Sequence, residues 1–141
     1  MLSPKARIQI VEDEFIIAED LRGALEEIGH EILGVAESYQ EALEHFESKR
    51  ADLVLLDINL EGNTEGIKLG ELLNKKQIPF IYISAYIDAK TREAAERTNP
   101  KAFMVKPFDF AELEVQIKFA IGPDTSILNA CLLYTSPSPR D

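Results

Sequence analysis

Five short apolar runs, each followed by a stretch with helical periodicity, constrain the fold of this chain more than any other feature. The runs are rich in aliphatic residues and occupy 6–12, 31–36, 52–57, 79–84 and 101–105. Short apolar runs of this kind are typical of parallel strands that are buried on both faces. Their strict alternation with helical stretches predicts one α/β domain, in which a doubly wound parallel sheet carries helices on both faces.

The stretches between the runs carry the signals of helix ends. Gly29 supplies a C-terminal stop for the first helix, and Asp109 is a candidate N-cap for the last. The stretch 61–66 holds two glycines and an asparagine, which predict a loop. Helices are predicted over about 14–29, 39–49, 66–76, 88–98 and 108–121.

Polar side chains stand where four of the apolar runs end. Glu12 and Asp13 follow the first run, Asp57 closes the third, Ser84 closes the fourth and Lys106 follows the fifth. Because parallel strands end on the same side of a sheet, these side chains are expected to converge at one edge, where open α/β sheets bind ligands. The set indicates a site for a divalent cation and a phosphoryl group.

The three carboxylates favour a hard cation. Placed together, they repel one another strongly unless a positive ion joins them, and oxygen ligands suit Mg²⁺. Zinc is not supported, because the chain has no cluster of cysteines and histidines; His30 and His45 are isolated and are interpreted as surface or satisfied residues. Taken singly, each polar residue has an ordinary alternative, such as an acid at a helix N-terminus or a solvated lysine. The joint occurrence at four strand ends favours a site.

At these spacings the residues resemble the receiver domain of two-component response regulators. The resemblance covers roughly 6–121 and includes a flavodoxin-like (βα)₅ fold with strand order 2-1-3-4-5. It rests on Ile-Val-Glu-Asp-Glu at 10–14, Leu-Leu-Asp-Ile-Asn at 55–59, Ile-Ser-Ala at 83–85 and Val-Lys-Pro-Phe at 105–108.

The resemblance implies a role for each acidic residue. Asp57 would accept a phosphoryl group from a sensor histidine kinase or a phosphotransfer protein. Glu12 and Asp13 would hold Mg²⁺ together with Asp57 and the backbone carbonyl of Asn59. Such a protein partly catalyses its own phosphorylation and dephosphorylation, and it is not an enzyme with turnover on an external substrate.

The resemblance also implies a switch. Ser84 and Lys106 would contact the phosphoryl group, and Phe103 stands at the aromatic switch position of the family. Phosphorylation would draw Ser84 inward and let Phe103 turn into the vacated space, which reshapes the surface of the fourth helix, fifth strand and fifth helix. Phe103 lacks the hydroxyl of the more frequent tyrosine, so this switch cannot use a phenolic hydrogen bond.

In the loop after Asp57, a glutamate at position 61 stands where proline is common, and the family glycine, at position 66, lies one residue late.

Charge and hydropathy narrow the partners. The 141 residues include 25 acidic and 15 basic side chains, a formal net charge of −10, so this segment is not expected to bind nucleic acid directly. No window reaches the roughly 20 apolar residues that cross a bilayer, and no signal peptide pattern is present, so no membrane contact is expected. The single cysteine, Cys131, cannot form an internal disulfide, which fits a cytoplasmic location, but this argument lapses if the segment 131–141 is not native. A phosphorylation-dependent dimer is compatible with these properties.

The C-terminal end of the chain is unlike the rest. Residues 1–121 are predicted to form the receiver domain, and 122–130 the start of a linker to a missing output domain. Residues 131–141 look like the translation of a transposon-end adapter used to prepare sequencing libraries, so they are interpreted as not native; the alternative is a natural disordered tail rich in serine and proline.

Several forms of the protein remain open. It is a stand-alone receiver, the N-terminal part of a DNA-binding response regulator, or a receiver fused to a kinase or another output module.

An alternative from another class is a Mg²⁺-dependent phosphohydrolase with an aspartyl nucleophile. Such an enzyme usually needs a second acid two residues after the nucleophile, and Asn59 occupies that position. The sequence therefore favours the signalling switch over the phosphohydrolase and over a purely structural module.

Overall fold

A computed structural model describes residues 5–62, 65–85 and 87–122, which form one parallel sheet flanked by helices. The strand order is β2-β1-β3-β4-β5, and every neighbouring pair is parallel. The flavodoxin-like (βα)₅ fold predicted above is therefore confirmed. Its elements are β1 (Arg7–Val11), α1 (Phe15–Ile28), β2 (Glu31–Ala36), α2 (Tyr39–Ser48), β3 (Leu53–Asp57), α3 (Glu65–Lys76), β4 (Phe80–Ser84), α4 (Ala89–Glu96), β5 (Ala102–Val105) and α5 (Phe110–Ile121).

Two hydrophobic layers hold the helices against the sheet. Helices α1 and α5 cover one face, where Leu21 and Leu113 are fully buried, and α2, α3 and α4 cover the other, where Leu69 is fully buried. All residues of β3 and β4 are buried, as expected of central strands between two helical layers. The helices on both faces confirm the predicted doubly wound arrangement.

Most predicted boundaries agree with the structure to within two residues, and the prediction of a loop over 61–66 is wrong in part. Residues Leu60–Gly62 form one turn of 3₁₀ helix, and Gly66 already lies within α3. At the other end of the chain, Asp109 accepts a hydrogen bond from the backbone N–H of Ala111 at 2.9 Å. This contact confirms the N-cap, and it places the start of α5 at Phe110 instead of 108 because a cap lies outside its helix.

Both histidines are satisfied within the fold, as predicted. The ring of His30 is buried; its Nδ1 accepts the backbone N–H of Ala6 at 3.1 Å, so its Nε2–H donates to Glu114 at 2.9 Å. The Nδ1 atom of His45 lies 3.1 Å from the side-chain oxygen of the buried Gln9. These contacts explain the two histidines as structural residues.

Some predictions concern parts of the chain that the structure does not describe. The segment 131–141 and all of 122–130 except Gly122 lie outside the described residues, so the linker and the adapter stay predictions. Within the part that is described, no helix has both the length and the apolar composition that a membrane crossing requires.

Candidate functional site

The carboxyl ends of four strands bring the predicted polar residues to one edge of the sheet. Glu12 and Asp13 follow β1, Asp57 is the last residue of β3, Ser84 is the last residue of β4 and Lys106 follows β5. The strands are parallel and their helices return on either face, so these ends can only meet on one side. A cavity of about 190 Å³ opens there, lined by Asp13, Glu14, Asp57, Asn59, Ala85 and Lys106.

Three carboxylates lie close enough to share one cation. Glu12, Asp13 and Asp57 each offer an oxygen, and these oxygens lie within 4.8 Å of one another. Glu12 and Asp57 are buried, whereas Asp13 is exposed. Each carboxylate accepts one backbone N–H, donated to Glu12 by Glu14 at 3.0 Å, to Asp57 by Asn59 at 3.0 Å and to Asp13 by Glu61 at 3.1 Å.

The crowding of negative charge shifts the proton affinities of the site. Burial, together with the nearby charge of Asp57, raises the pKa of Glu12 to about 7, although Lys106 and the N–H of Glu14 limit the rise. Burial also raises the pKa of Asp57 above its ordinary value, although Lys106 and the N–H of Asn59 limit the rise. The site therefore carries an electrostatic cost that a cation would relieve.

Lys106, which follows the edge strand β5, extends its ammonium group to the carboxylates. Its Nζ atom lies 2.9 Å from Glu12 Oε1, 3.1 Å from Glu14 Oε1 and 3.6 Å from Asp57 Oδ2. Although burial alone would lower the pKa of Lys106, its ion pairs with these carboxylates raise it, so the ammonium stays charged. The peptide bond between Lys106 and Pro107 is cis.

Glu14 is a residue of the site that the sequence reasoning did not single out. Only its place in the run Glu12–Glu14 could have drawn attention to it, because nothing local shows that its side chain turns toward Lys106.

Ser84 and Phe103 are not among the described residues that line the cavity. Ser84 is fully buried, and its hydroxyl has no hydrogen-bond partner among the residues that the structure describes. Phe103 is half-buried on β5, where its ring centroid lies 5.4 Å from that of Tyr82 on β4. The guanidinium carbon of Arg92, on α4, stands 4.1 Å above the centroid of the Phe103 ring.

A buried tyrosine supports the strand next to Phe103. Tyr82 is fully buried, its hydroxyl lies 2.7 Å from the hydroxyl of Thr98, and burial raises its pKa to about 12. Since the Thr98 hydroxyl donates to the carbonyl of Ala95 at 2.6 Å, the Tyr82 hydroxyl is the donor in their contact. Gly70 on α3 provides the room, because a Cβ there would overlap the Tyr82 hydroxyl.

Gly66 brings α3 against the backbone that carries Asp57. Its N–H donates to the carbonyl of Ile58 at 3.0 Å. A Cβ at Gly66 would overlap the carbonyl oxygen of Asp57 and stand 2.6 Å from the Cα of Ile58. The preceding turn contains Glu61 in the left-handed region, with a φ of 58°. The glycine that stands one residue late against the family pattern thus still makes a close backbone contact.

Known proteins that are similar to this chain in sequence include response regulators and other regulatory proteins. A family model described as the response regulator receiver domain matches residues 8–118. The phyllosphere-induced regulator PhyR of Methylorubrum extorquens is 37% identical over 116 residues, which cover 81% of this chain and 43% of PhyR. The transcriptional regulatory protein PdtaR of Mycobacterium tuberculosis is 33% identical over 116 residues, which cover 82% of this chain and 57% of PdtaR. The chain therefore spans about half the length of these curated relatives.

Solved structures share the architecture. The signal receiver domain of a modulated diguanylate cyclase from Desulfovibrio desulfuricans G20 has a TM-score of 0.78 and 33% identity, covering 84% of this chain and 94% of that chain. A CheY-like receiver domain protein from Methanospirillum hungatei JF-1 has a TM-score of 0.76 and 27% identity, with the same coverage of 84% and 94%.

Proposed function

Because this chain belongs to the response regulator receiver family, we propose that its Asp57 accepts a phosphoryl group from a histidine kinase. Receiver domains of two-component systems act in general as phosphorylation switches and not as enzymes of the usual kind. The observation that carries the proposal is the place of Asp57, at the end of β3, lining the cavity and 3.6 Å from the ammonium of Lys106. Labelling of Asp57 by a small phosphodonor tests this role.

The proposed transfer asks little of the protein beyond position and charge. A carboxylate oxygen of Asp57 attacks the phosphorus of a phosphohistidine, the P–N bond breaks, and its electron pair leaves with the imidazole. The product is an acyl phosphate on Asp57. In-line transfer of this kind depends on a held nucleophile and on cations that neutralise the phosphoryl oxygens. The backbone N–H of Asn59 holds the carboxylate, and Lys106 supplies one positive charge.

We propose that Glu12, Asp13, Asp57 and the backbone carbonyl of Asn59 hold Mg²⁺, as receiver domains generally do at an acidic pocket. The donor set fits this ion, because three carboxylate oxygens lie within 4.8 Å of one another and Mg²⁺ prefers oxygen. When bound, Mg²⁺ supplies the positive charge that balances the phosphoryl oxygens during transfer.

Mg²⁺ affinity should rise as the pH increases from about 6 to about 8. Burial raises the pKa of Glu12 to about 7, so near neutral pH part of the protein must release a proton before this carboxylate can bind a cation. Titration calorimetry at several pH values, in buffers of different ionisation enthalpy, should record tighter binding and less proton release above pH 7. In a Glu12→Gln variant the remaining affinity should change much less with pH. A constant affinity in the wild-type protein would contradict the assignment of Glu12.

The buried Ser84 hydroxyl supports a switch that responds to phosphorylation. It lacks a hydrogen-bond partner among the described residues, and a phosphoryl oxygen on Asp57 would give it an acceptor. We propose that Ser84 then moves inward and Phe103 turns into the vacated space. That rotation must break the contact between Phe103 and Arg92, so α4 and β5 would change together, and with them the surface they share with α5.

Lys106→Ala should leave Asp57 open to labelling but should uncouple it from this switch. The ammonium is the charge that would bind a phosphoryl oxygen and draw it toward β5, and alanine cannot do so. In NMR spectra, the phosphorylation-induced shift changes of the amides around Phe103 should fall below about half of those in the wild-type protein. Lys101→Ala is the matched control, because this exposed lysine precedes the first residue of β5, whereas Lys106 follows the last. Full shift changes in Lys106→Ala would argue against the relay.

An apolar surface beside the site supports docking of the kinase. Phe15 and Ile16, at the start of α1, are 69% and 73% exposed. The same helix borders a cavity of about 480 Å³, which is lined by Ile17, Asp20, Leu21, Lys106, Pro107, Phe108 and Phe110. Because exposed apolar groups of this kind mark interaction surfaces, we propose that the kinase helices pack here and present their phosphohistidine to Asp57.

The phosphohydrolase alternative has no support in the site. The position two residues after Asp57 carries Asn59, whose side chain cannot transfer protons. Among the described lining residues of the cavity, the other acids are Asp13, which belongs to the carboxylate cluster, and Glu14, which is paired with Lys106.

A further inference from the structure

We infer that Glu14 is a positioning residue that restrains Lys106 in the unphosphorylated protein and thereby lowers the affinity of the site for a phosphoryl group. The inference rests on the proposed role of Asp57 as the phosphoryl acceptor, and it adds a residue that sets how readily that acceptor is used.

The contacts of Lys106 show the competition. An ammonium has three N–H donors, and the Nζ atom of Lys106 stands closer to Glu12, at 2.9 Å, and to Glu14, at 3.1 Å, than to Asp57, at 3.6 Å. The carboxylates of Glu12 and Glu14 therefore hold the Lys106 ammonium, which the phosphoryl group on Asp57 would need as a partner.

The two competing carboxylates differ in how they are held. The side chain of Glu12 is fully buried and also accepts the backbone N–H of Glu14 at 3.0 Å. The side chain of Glu14 is 60% exposed, and among the described residues it forms an ion pair with Lys106 alone. Glu12 belongs to the carboxylate cluster and would be occupied by the metal, whereas Glu14 lies outside that cluster. Glu14 is thus the partner that would still compete for Lys106 when the site is loaded.

The size of the effect follows from the exposure of Glu14. Ion pairs with an exposed partner are weak, so releasing Lys106 from Glu14 should change the affinity for a phosphoryl group by about two- to fivefold. Glu14 also places a negative charge next to the site, which would repel any anionic donor whether or not Lys106 is present. The two effects differ in one respect, because only restraint of Lys106 disappears when Lys106 is removed.

A double-mutant cycle separates the two effects. The proteins are the wild type, Glu14→Gln, Lys106→Ala and the double variant, and the probe is beryllium trifluoride with Mg²⁺, a mimic of the phosphoryl group. We expect Glu14→Gln to bind the probe about two- to fivefold more tightly than the wild type and to be labelled faster by phosphoramidate. In the Lys106→Ala background, the same substitution should give a clearly smaller gain, because only the repulsion by the Glu14 charge is left to relieve.

Glu37→Gln is the matched control, because it removes one exposed negative charge just past β2, at the strand farthest from Lys106. Its affinity for the probe should equal that of the wild type. An equal gain from Glu14→Gln with and without Lys106 would show simple charge repulsion and overturn the inference, as would no gain at all. If the wild-type protein neither binds the probe nor is labelled at Asp57, the proposed function fails first, and the inference fails with it.

Discussion

Asp57→Asn should abolish labelling of this protein by a small phosphodonor such as phosphoramidate. The amide has nearly the shape of the carboxylate but is not a nucleophile toward phosphorus, so no acyl phosphate can form at this position. The loss should not come from unfolding, because Asp57 is a buried acid beside two other carboxylates and the neutral amide removes part of their repulsion. Mass spectrometry of the intact protein, with and without Mg²⁺, measures the incorporated phosphoryl group.

Asp52→Asn provides the matched control for this experiment. Asp52 precedes the first residue of β3, whereas Asp57 is the last residue of that strand. The side chain of Asp52 is half-exposed and accepts a hydrogen bond from the backbone N–H of Arg7 at 2.8 Å. This variant should be labelled at the wild-type rate. Undiminished labelling of Asp57→Asn would refute the assignment of the acceptor, and labelling at a neighbouring carboxylate would move the assignment to that residue.

Gly66→Ala should lower the free energy of unfolding by about 3 kcal/mol or more, which is at the upper end of the cost of overpacking. The new methyl group would overlap the carbonyl oxygen of Asp57, and the backbone of Ile58 stands directly behind it. A flexible side chain could rotate away, but backbone atoms can move only if α3 shifts as a whole. Because the affected peptide carries Asp57, labelling should also slow. Urea denaturation measures the first effect and phosphoramidate labelling the second.

Gly23→Ala gives the contrasting result that makes this experiment informative. Gly23 lies in the middle of α1, and a Cβ built there meets nothing within 4 Å. Alanine stabilises an exposed helix interior over glycine, so this variant should gain about 0.5–1 kcal/mol. Opposite signs for the same substitution would isolate the contact with the Asp57 backbone as the cause. A Gly66→Ala protein as stable as the wild type would contradict the close packing.

The converging strand ends show how much of the site the sequence could predict. Asp57 and Ser84 each close an apolar run, and parallel strands must end on the same side, so local patterns were sufficient to group them. The same holds for Lys106, since its strand is the last of the series. The order of the strands came from the family resemblance, because periodicity does not reveal which strands are neighbours.

Other features had no local signal. Glu14 and Lys106 are 92 positions apart, and their contact depends on how the start of α1 faces the segment after β5. No local pattern explains Gly70; in the structure, the Tyr82 hydroxyl occupies the space that a side chain at position 70 would fill. The sequence pattern predicts the start of α3 one residue late, because the two glycines within 61–66 indicate a loop, whereas Gly66 lies inside the helix and allows its close packing.

By itself, the sequence determined that this chain forms alternating strands and helices and which polar residues stand at the strand ends, because periodicity and alternation are properties of neighbouring residues. The tertiary structure alone decided which carboxylates share Lys106, which buried hydroxyl has no partner among the described residues and why α3 needs Gly66. Those features depend on distances between separate elements, which the pattern within any one element does not contain, and the packing of the two helical layers against the sheet sets these distances.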